Sequence, residues 1–81
     1  MEEIGKVMHY YPGIGVAVVK LSKPLNIGEK IKIQGHTTEI EQKVDSIQIK
    51  HKNVPKAKKG DEIGLKVSDR VRENDVVLRL E

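Results

Sequence analysis

Residues 37–51 read TTEIEQKVDSIQIKH, and the spacing of their aliphatic side chains decides which fold the chain can adopt. Ile40 and Val44 occupy even positions, whereas Ile47 and Ile49 occupy odd positions. Because side chains alternate between the two faces of a strand, one straight strand cannot bury both pairs. The sequence therefore predicts a bulge or a sharp bend at the polar residues between them, of the kind that curls a small sheet into a barrel.

Short runs of alternating apolar and polar residues recur along the rest of the chain, separated by Gly, Pro and Asn. The run IGVAVVKL is apolar at both parities, which favours a central strand covered on both faces. Six strands at this spacing, without a helical pattern, predict an all-β, mainly antiparallel, Greek-key-like barrel that occupies residues 1–81 as a single domain. The inward residues predicted for the runs EKIKIQ, EIGLKV and VVLRL are Ile31, Ile33, Ile63, Leu65, Val67, Val76, Leu78 and Leu80.

The composition excludes several classes of protein. The chain has 81 residues and no cysteine, so it has neither disulfides nor thiolate ligands for zinc. No apolar run approaches the roughly 18 residues of a membrane span, and the acidic start MEEIGKV lacks the layout of a signal peptide. We therefore expect a cytoplasmic protein without membrane contact.

Positive charge is concentrated in residues 50–59, KHKNVPKAKK, which we term the Lys-rich segment. This segment holds five lysines and no acid, whereas the rest of the chain holds ten bases and twelve acids, which leaves the net charge at +3. Five flexible cations could contact the phosphates of a nucleic acid. The same lysines could equally form a solvated connection that keeps a small barrel soluble.

Four segments in order, IGKV, GIGVAVVKLSKPLNIGEKIKI, VDSIQIKHKNVPKAKKGDEIGLKV and RVRENDVVL, resemble the second domain of translational GTPases such as elongation factor Tu. Asn74 replaces the Gly that is usual in the last segment, and Asn also tolerates left-handed backbone. The residues that match the pattern are Gly5, Gly13, Gly15, Leu25, Gly28, Glu29, Ile31, Ile33, Ala57, Gly60, Asp61, Gly64, Arg72, Asp75 and Val76.

The chain resembles still more closely the C-terminal barrel of collagenase-like peptidase family proteins, several of which act on tRNA or ribosomal RNA. The sequence has no GxxxxGK[ST] phosphate-binding loop, so the GTPase part of the first family is missing. It has no peptidase domain either. The resemblance therefore implies an accessory barrel of translation-factor domain-two type that is not itself an enzyme.

Two functions follow as hypotheses. The first is a binding module for RNA or a ribonucleoprotein, with tRNA or rRNA as partner, which docks through Lys50, Lys52, Lys56, Lys58 and Lys59 with Arg70 and Arg72 as helpers. The alternative is a protein-interaction module that docks on a partner enzyme without nucleic-acid contact. An exposed apolar patch would favour this alternative, and its candidate residues are Val54, Val71 and Val77.

The remaining side chains give no pattern for catalysis. Tyr10 and Tyr11 could stack on a base if they are exposed, although burial at the end of the barrel is the favoured interpretation. The three histidines are spread through the chain without metal-ligand spacing. We therefore predict no catalytic residue, no metal, no cofactor and no small-molecule substrate.

Overall fold

A computed structural model describes residues 2–80, which form ten β-strands and no helix. The strands are β1 (Glu2–Tyr11), β2 (Val16–Leu21), β3 (Leu25–Asn26), β4 (Lys30–Gln34), β5 (Glu39–Lys43), β6 (Ile47–Ile49), β7 (Lys52–Val54), β8 (Lys56–Ala57), β9 (Glu62–Lys66) and β10 (Val76–Arg79). Eight of them form one antiparallel sheet in the order β5-β4-β10-β1-β2-β9-β6-β7, and β3 pairs with β8 in a second small sheet. The all-β, antiparallel prediction is confirmed.

The aliphatic side chains of the larger sheet meet on its concave face. Alternation along β4 and β9 places Ile31, Ile33, Ile63 and Leu65 inward, as predicted, and each is at most 1% exposed. Every buried hydrophobic residue among residues 2–80 is Val, Ile, Leu or Ala, so the core is built from branched and small aliphatic groups. β-Branched side chains fit a pleated surface well, which explains why such a sequence folds as a sheet.

The bend predicted from residues 37–51 is present. The chain leaves β5 after Lys43 and enters β6 at Ile47, so the two strands lie at different places in the sheet order. Val44 is buried within the bend, and its backbone N–H donates to the Glu29 carbonyl at 2.9 Å. The parity change is thus resolved because Ile40 reaches the core from β5, Val44 reaches it from the bend, and β6 contributes Ile47 with Ile49 partly buried.

The predicted closed barrel of six strands is not confirmed, because the ladder of the large sheet ends at β5 on one side and at β7 on the other. Between β5 and the end of β9, the Gln42 side chain takes the place of strand pairing. Its Nε2 donates to the Lys66 carbonyl, and the Ser68 backbone N–H donates to its Oε1, both at 2.8 Å. We term this contact the Gln42 seam.

In the last strand, the side chains that face the core are not the ones that were predicted to do so. Val77 is fully buried, whereas Val76, Leu78 and Leu80 are only half-buried. Val77 lies directly opposite Ile33 of β4, and residues that are opposite each other in an antiparallel pair share a face. Because Ile33 faces the core, Val77 must face it too.

Candidate docking surface

The seven predicted nucleic-acid contacts are all exposed, but the fold divides them into two groups. Lys50 lies in the β6–β7 turn and Lys52 begins β7, and Lys58 and Lys59 lie in the turn that leads to the first residue of β9. Lys56 lies on β8, opposite Asn26. Arg70 and Arg72 form the second group and lie beyond the other end of β9. The five residues of β9, at ~3.3 Å each, therefore separate the two groups by roughly 16 Å.

The β6–β7 turn consists of Lys50 and His51, because Ile49 pairs directly with Lys52. Both turn residues have positive φ, 51° for Lys50 and 66° for His51. Two left-handed residues are what a tight hairpin turn requires, and Asn-Gly usually supplies them. Lys and His adopt this conformation at a cost in backbone strain.

A groove of about 450 Å³ lies on the outer face of the large sheet, and we term it the Gly64 groove. Its floor contains Val16 and Val18 of β2, with Gly64 of β9 beside them. Ile14 is 64% exposed and Tyr11 is 48% exposed, and both line the groove. The remaining lining residues are Gln48, Lys50, His51, Glu62 and Ile63.

Gly64 lies between two neighbouring strands at this groove because of its place in the sheet. It pairs with Val18 on one side and with Gln48 on the other. The missing side chain leaves a gap about one methyl group wide, since a Cβ placed there would lie 3.5 Å from Val16 Cγ1 and 3.7 Å from Gln48 Cβ. No side chain of β9 therefore projects from the outer face at this one position.

The sequence interpretation missed this surface. The run IGVAVVKL is apolar at both parities, and the expectation was a strand covered on both faces. Ala17 and Val19 are buried, but Val16 and Val18 on the outer face are only half-buried and line the groove. The alternation of apolar residues on the second face was the sequence feature that could have revealed it.

The three valines proposed as exposed apolar contacts were wrongly chosen. Val71 is 2% exposed and Val77 is fully buried, while Val54 is half-buried against the core. Val71 lies in a polar run, yet its side chain belongs to the core because the connection folds back over the sheet. The exposed large apolar residues are instead Met8, Tyr11, Ile14 and Ile27.

The two tyrosines differ in burial. Tyr10 packs partly buried against the core, as the favoured interpretation expected. Tyr11 does not follow that interpretation, because it lies on the outer face, where its ring meets His9 edge-on with centroids 4.4 Å apart. Tyr11 therefore belongs to the groove wall.

Residues 2–80 contain no cluster of three or more His, Asp or Glu side chains that could hold a metal ion. Within the same residues, no helix is long and apolar enough to cross a membrane. The groove thus offers apolar contact and a charged rim, which are features suited to binding another molecule.

No protein-family model matches the chain. The chain is similar to an uncharacterised protease of Methanocaldococcus jannaschii, with 46% identity over 79 residues that cover 96% of this chain and 19% of the relative. It is also 39% identical to a collagenase of Porphyromonas gingivalis over 80 residues, which cover 96% of this chain and 22% of the relative. The chain therefore spans about a fifth of the length of these curated relatives.

The fold is that of a solved domain. The crystal structure of the C-terminal domain of a Geobacillus thermoleovorans protein assigned as a U32 peptidase matches with a TM-score of 0.92 and 18% identity, over 99% of this chain and 93% of that one. Its selenomethionine variant matches with a TM-score of 0.91. The likeness to translational GTPases stays a prediction, whereas the likeness to collagenase-like peptidases is supported. Along nearly its whole length, the chain is similar to a limited part of peptidase- and collagenase-like proteins.

Proposed function

We propose that the protein is a noncatalytic docking module that binds the remaining part of a peptidase-family protein, either within one polypeptide or between two. One observation carries the proposal: 46% identity extends over 96% of this chain but over only 19% of a protease relative. A segment that recurs at the scale of one small domain is a unit with a role of its own beside the larger part. The open, apolar Gly64 groove supports contact with another protein.

We propose further that residues 1–81 act as one unit of the translation-factor domain-two type. Six strands of the large sheet, β5, β4, β10, β1, β2 and β9, follow one another in pairing order. The Gln42 seam then joins the sixth strand to the first through two side-chain hydrogen bonds. This arrangement supports a six-stranded barrel in which an amide side chain replaces the last ladder.

Binding to the larger part of a relative tests the docking role. The M. jannaschii protease would be produced without the segment that matches this chain, and its binding to this protein measured by calorimetry. We expect a Kd near the micromolar range, which is common for an interface between domains of one chain. The intact relative serves as control, since its own segment at high effective concentration should exclude the added protein. A folded, truncated relative that shows no heat of binding at high concentration would refute the proposal.

A second candidate is docking to tRNA or rRNA through Lys50, Lys52, Lys56, Lys58 and Lys59, with Arg70 and Arg72. The observation that favours it is that, among residues 2–80, none of these seven side chains forms an ion pair within the chain. Such binding would be steeply salt-dependent and nearly indifferent to sequence. Unchanged tRNA affinity after reversal of charge at Lys56, Lys58 and Lys59 would exclude it.

The RNA test needs a control that carries the same change in net charge. Lys43 is exposed on the edge strand β5, away from the Lys-rich segment in the sheet order. Reversal of charge at Lys6, Lys30 and Lys43, three exposed lysines outside the Lys-rich segment, should weaken tRNA binding only through the general loss of positive charge. If both sets of variants lose affinity equally, the contact is diffuse and the Lys-rich segment is not a site.

A further inference from the structure

Gly64 is a residue that the fold does not require. Its φ lies outside the left-handed region, and a Cβ added there would meet Val16 Cγ1 at 3.5 Å and Gln48 Cβ at 3.7 Å, which are ordinary contacts. A glycine inside a strand weakens the strand and often lies where another backbone approaches closely. The missing side chain is therefore better explained by an approaching partner than by packing within the chain.

The turn at the end of the Gly64 groove also departs from what stability favours. Lys50 and His51 are left-handed residues without the glycine or asparagine that would relieve the strain. Strained backbone is retained where the side chains have a use. Both side chains line the groove, so the strain and the missing side chain of Gly64 lie at one site.

The outer face around the groove carries more positive than negative charge. Lys66 lies opposite Val16, and Lys20 lies opposite Glu62, so both lysines share the outer face with the groove. Lys50 and Glu62 line the groove itself, and Lys20 and Lys66 add positive charge beside it. None of the three lysines forms an ion pair with residues 2–80. A complementary ligand carries apolar side chains for the floor and carboxylates for the rim.

We propose that the Gly64 groove binds an extended segment of a partner protein in which apolar side chains are flanked by acidic ones. The proposal rests on the docking function above and names the face and the partner chemistry. An extended backbone lies over Gly64, where no Cβ holds it away. Its apolar side chains contact Ile14 and Val18, and its carboxylates reach Lys50 and Lys66.

A random peptide library displayed on phage provides the probe. Selection on the intact protein should recover peptides with apolar residues next to Asp or Glu. The best synthetic peptide should bind Gly64→Val at least about tenfold more weakly, because the new side chain fills the gap at Gly64. Gln34→Val introduces the same β-branched residue at an exposed position of β4, so this variant is the control and should bind the peptide normally.

Charge and turn variants add independent readouts. Lys50→Glu should weaken the same peptide about tenfold and remove most of its salt dependence, whereas Lys43→Glu should not. The double variant Lys50→Asn, His51→Gly should raise Tm by several degrees and still weaken the peptide, since it relieves strain but removes both side chains. Stabilisation together with loss of binding is a result that a merely structural turn would not give.

Several outcomes would overturn the inference. They are an empty selection, peptides enriched in Lys or Arg, a Gly64→Val variant that binds normally, and self-association of the protein through the groove in place of binding to a heterologous ligand. If the protein bound tRNA through the Lys-rich segment and the selection yielded no peptide, the RNA candidate would be favoured. Equal binding of the truncated protease by wild type and Gly64→Val would remove the groove proposal and leave the docking function standing. Peptide binding without protease binding would do the reverse.

Discussion

Replacement of Gln42 by alanine tests whether the Gln42 seam joins the two sides of the open sheet. In the wild type the side chain donates to the Lys66 carbonyl and accepts from the Ser68 N–H, each at 2.8 Å. Gln42→Ala removes both hydrogen bonds at once. Gln42→Glu keeps the acceptor for Ser68 but turns a carboxylate oxygen toward the Lys66 carbonyl. The two variants therefore separate the two bonds.

The size of the effect follows from the surroundings. A protein hydrogen bond contributes about 0.5–1.5 kcal/mol net, and the seam contains two. Both bonds are solvent-accessible, which favours the lower half of that range, so we expect Gln42→Ala to cost about 1–2 kcal/mol of the free energy of unfolding. For a chain of 81 residues, each kcal/mol lowers Tm by about 4–8 °C.

Urea and thermal unfolding measure this cost, and amide hydrogen exchange locates it. The Ser68 amide should exchange much faster in Gln42→Ala than in the wild type, because its acceptor is gone. Gln34→Ala on β4 is the matched control and should change stability by no more than about 0.5 kcal/mol. If Gln42→Ala changes neither the midpoint nor the exchange of Ser68, the seam has no role in stability and the sheet is simply open.

Three further predictions concern single positions. Gly35→Ala should lower the free energy of unfolding in urea by about 1–3 kcal/mol, because the new methyl group would overlap the buried Asp75 carboxylate. The overlap would also disturb the hydrogen bond that this carboxylate accepts from the Arg72 backbone N–H at 2.8 Å. In an Asp75→Ala background the same change should cost much less. Asn74 has φ 73°, so Asn74→Ala should lower stability by about 1 kcal/mol and Asn74→Gly should be close to neutral. The hydrogen bond and charge of Lys23 hold the pKa of Glu2 below its ordinary value of 4.5. The stability that this pair contributes is therefore present above pH 4.5 and is lost as the pH falls through the lowered pKa. Carboxyl NMR titration should show the Glu2 pKa rising in Lys23→Gln, and an unchanged pKa would contradict this prediction.

The sequence was sufficient where alternation had a single solution. In β4 and β9 only one parity is aliphatic, so the inward set could be assigned from Ile31, Ile33, Ile63 and Leu65 alone. The left-handed conformation of Asn74 was also anticipated, since Asn replaces a glycine there and tolerates positive φ. These features depend on local backbone geometry, which a short stretch of sequence determines.

The sequence was insufficient where both parities are apolar. In VVLRL either face could have been the core face, and only the pairing of Val77 with Ile33 decides between them. Strand β2 posed the same ambiguity, and there the second apolar face carries the candidate site. Whether a face is covered depends on how many elements the whole chain supplies, which no local pattern reports.

The exposed face of β2 favours docking over chance exposure for a reason of energy as well as shape. Val16 and Val18 of β2, and Ile14 of the turn before it, could be replaced by threonine without loss of the core, because Ala17 and Val19 already supply the buried face. Instead the apolar side chains surround a glycine that weakens the strand and a turn whose residues are strained. Each feature alone is unremarkable in a small sheet, but all three lower stability or solubility at one site. A bound partner that covers the apolar surface would offset these costs, since burial returns about 25 cal/mol for each Å² of apolar surface removed from water.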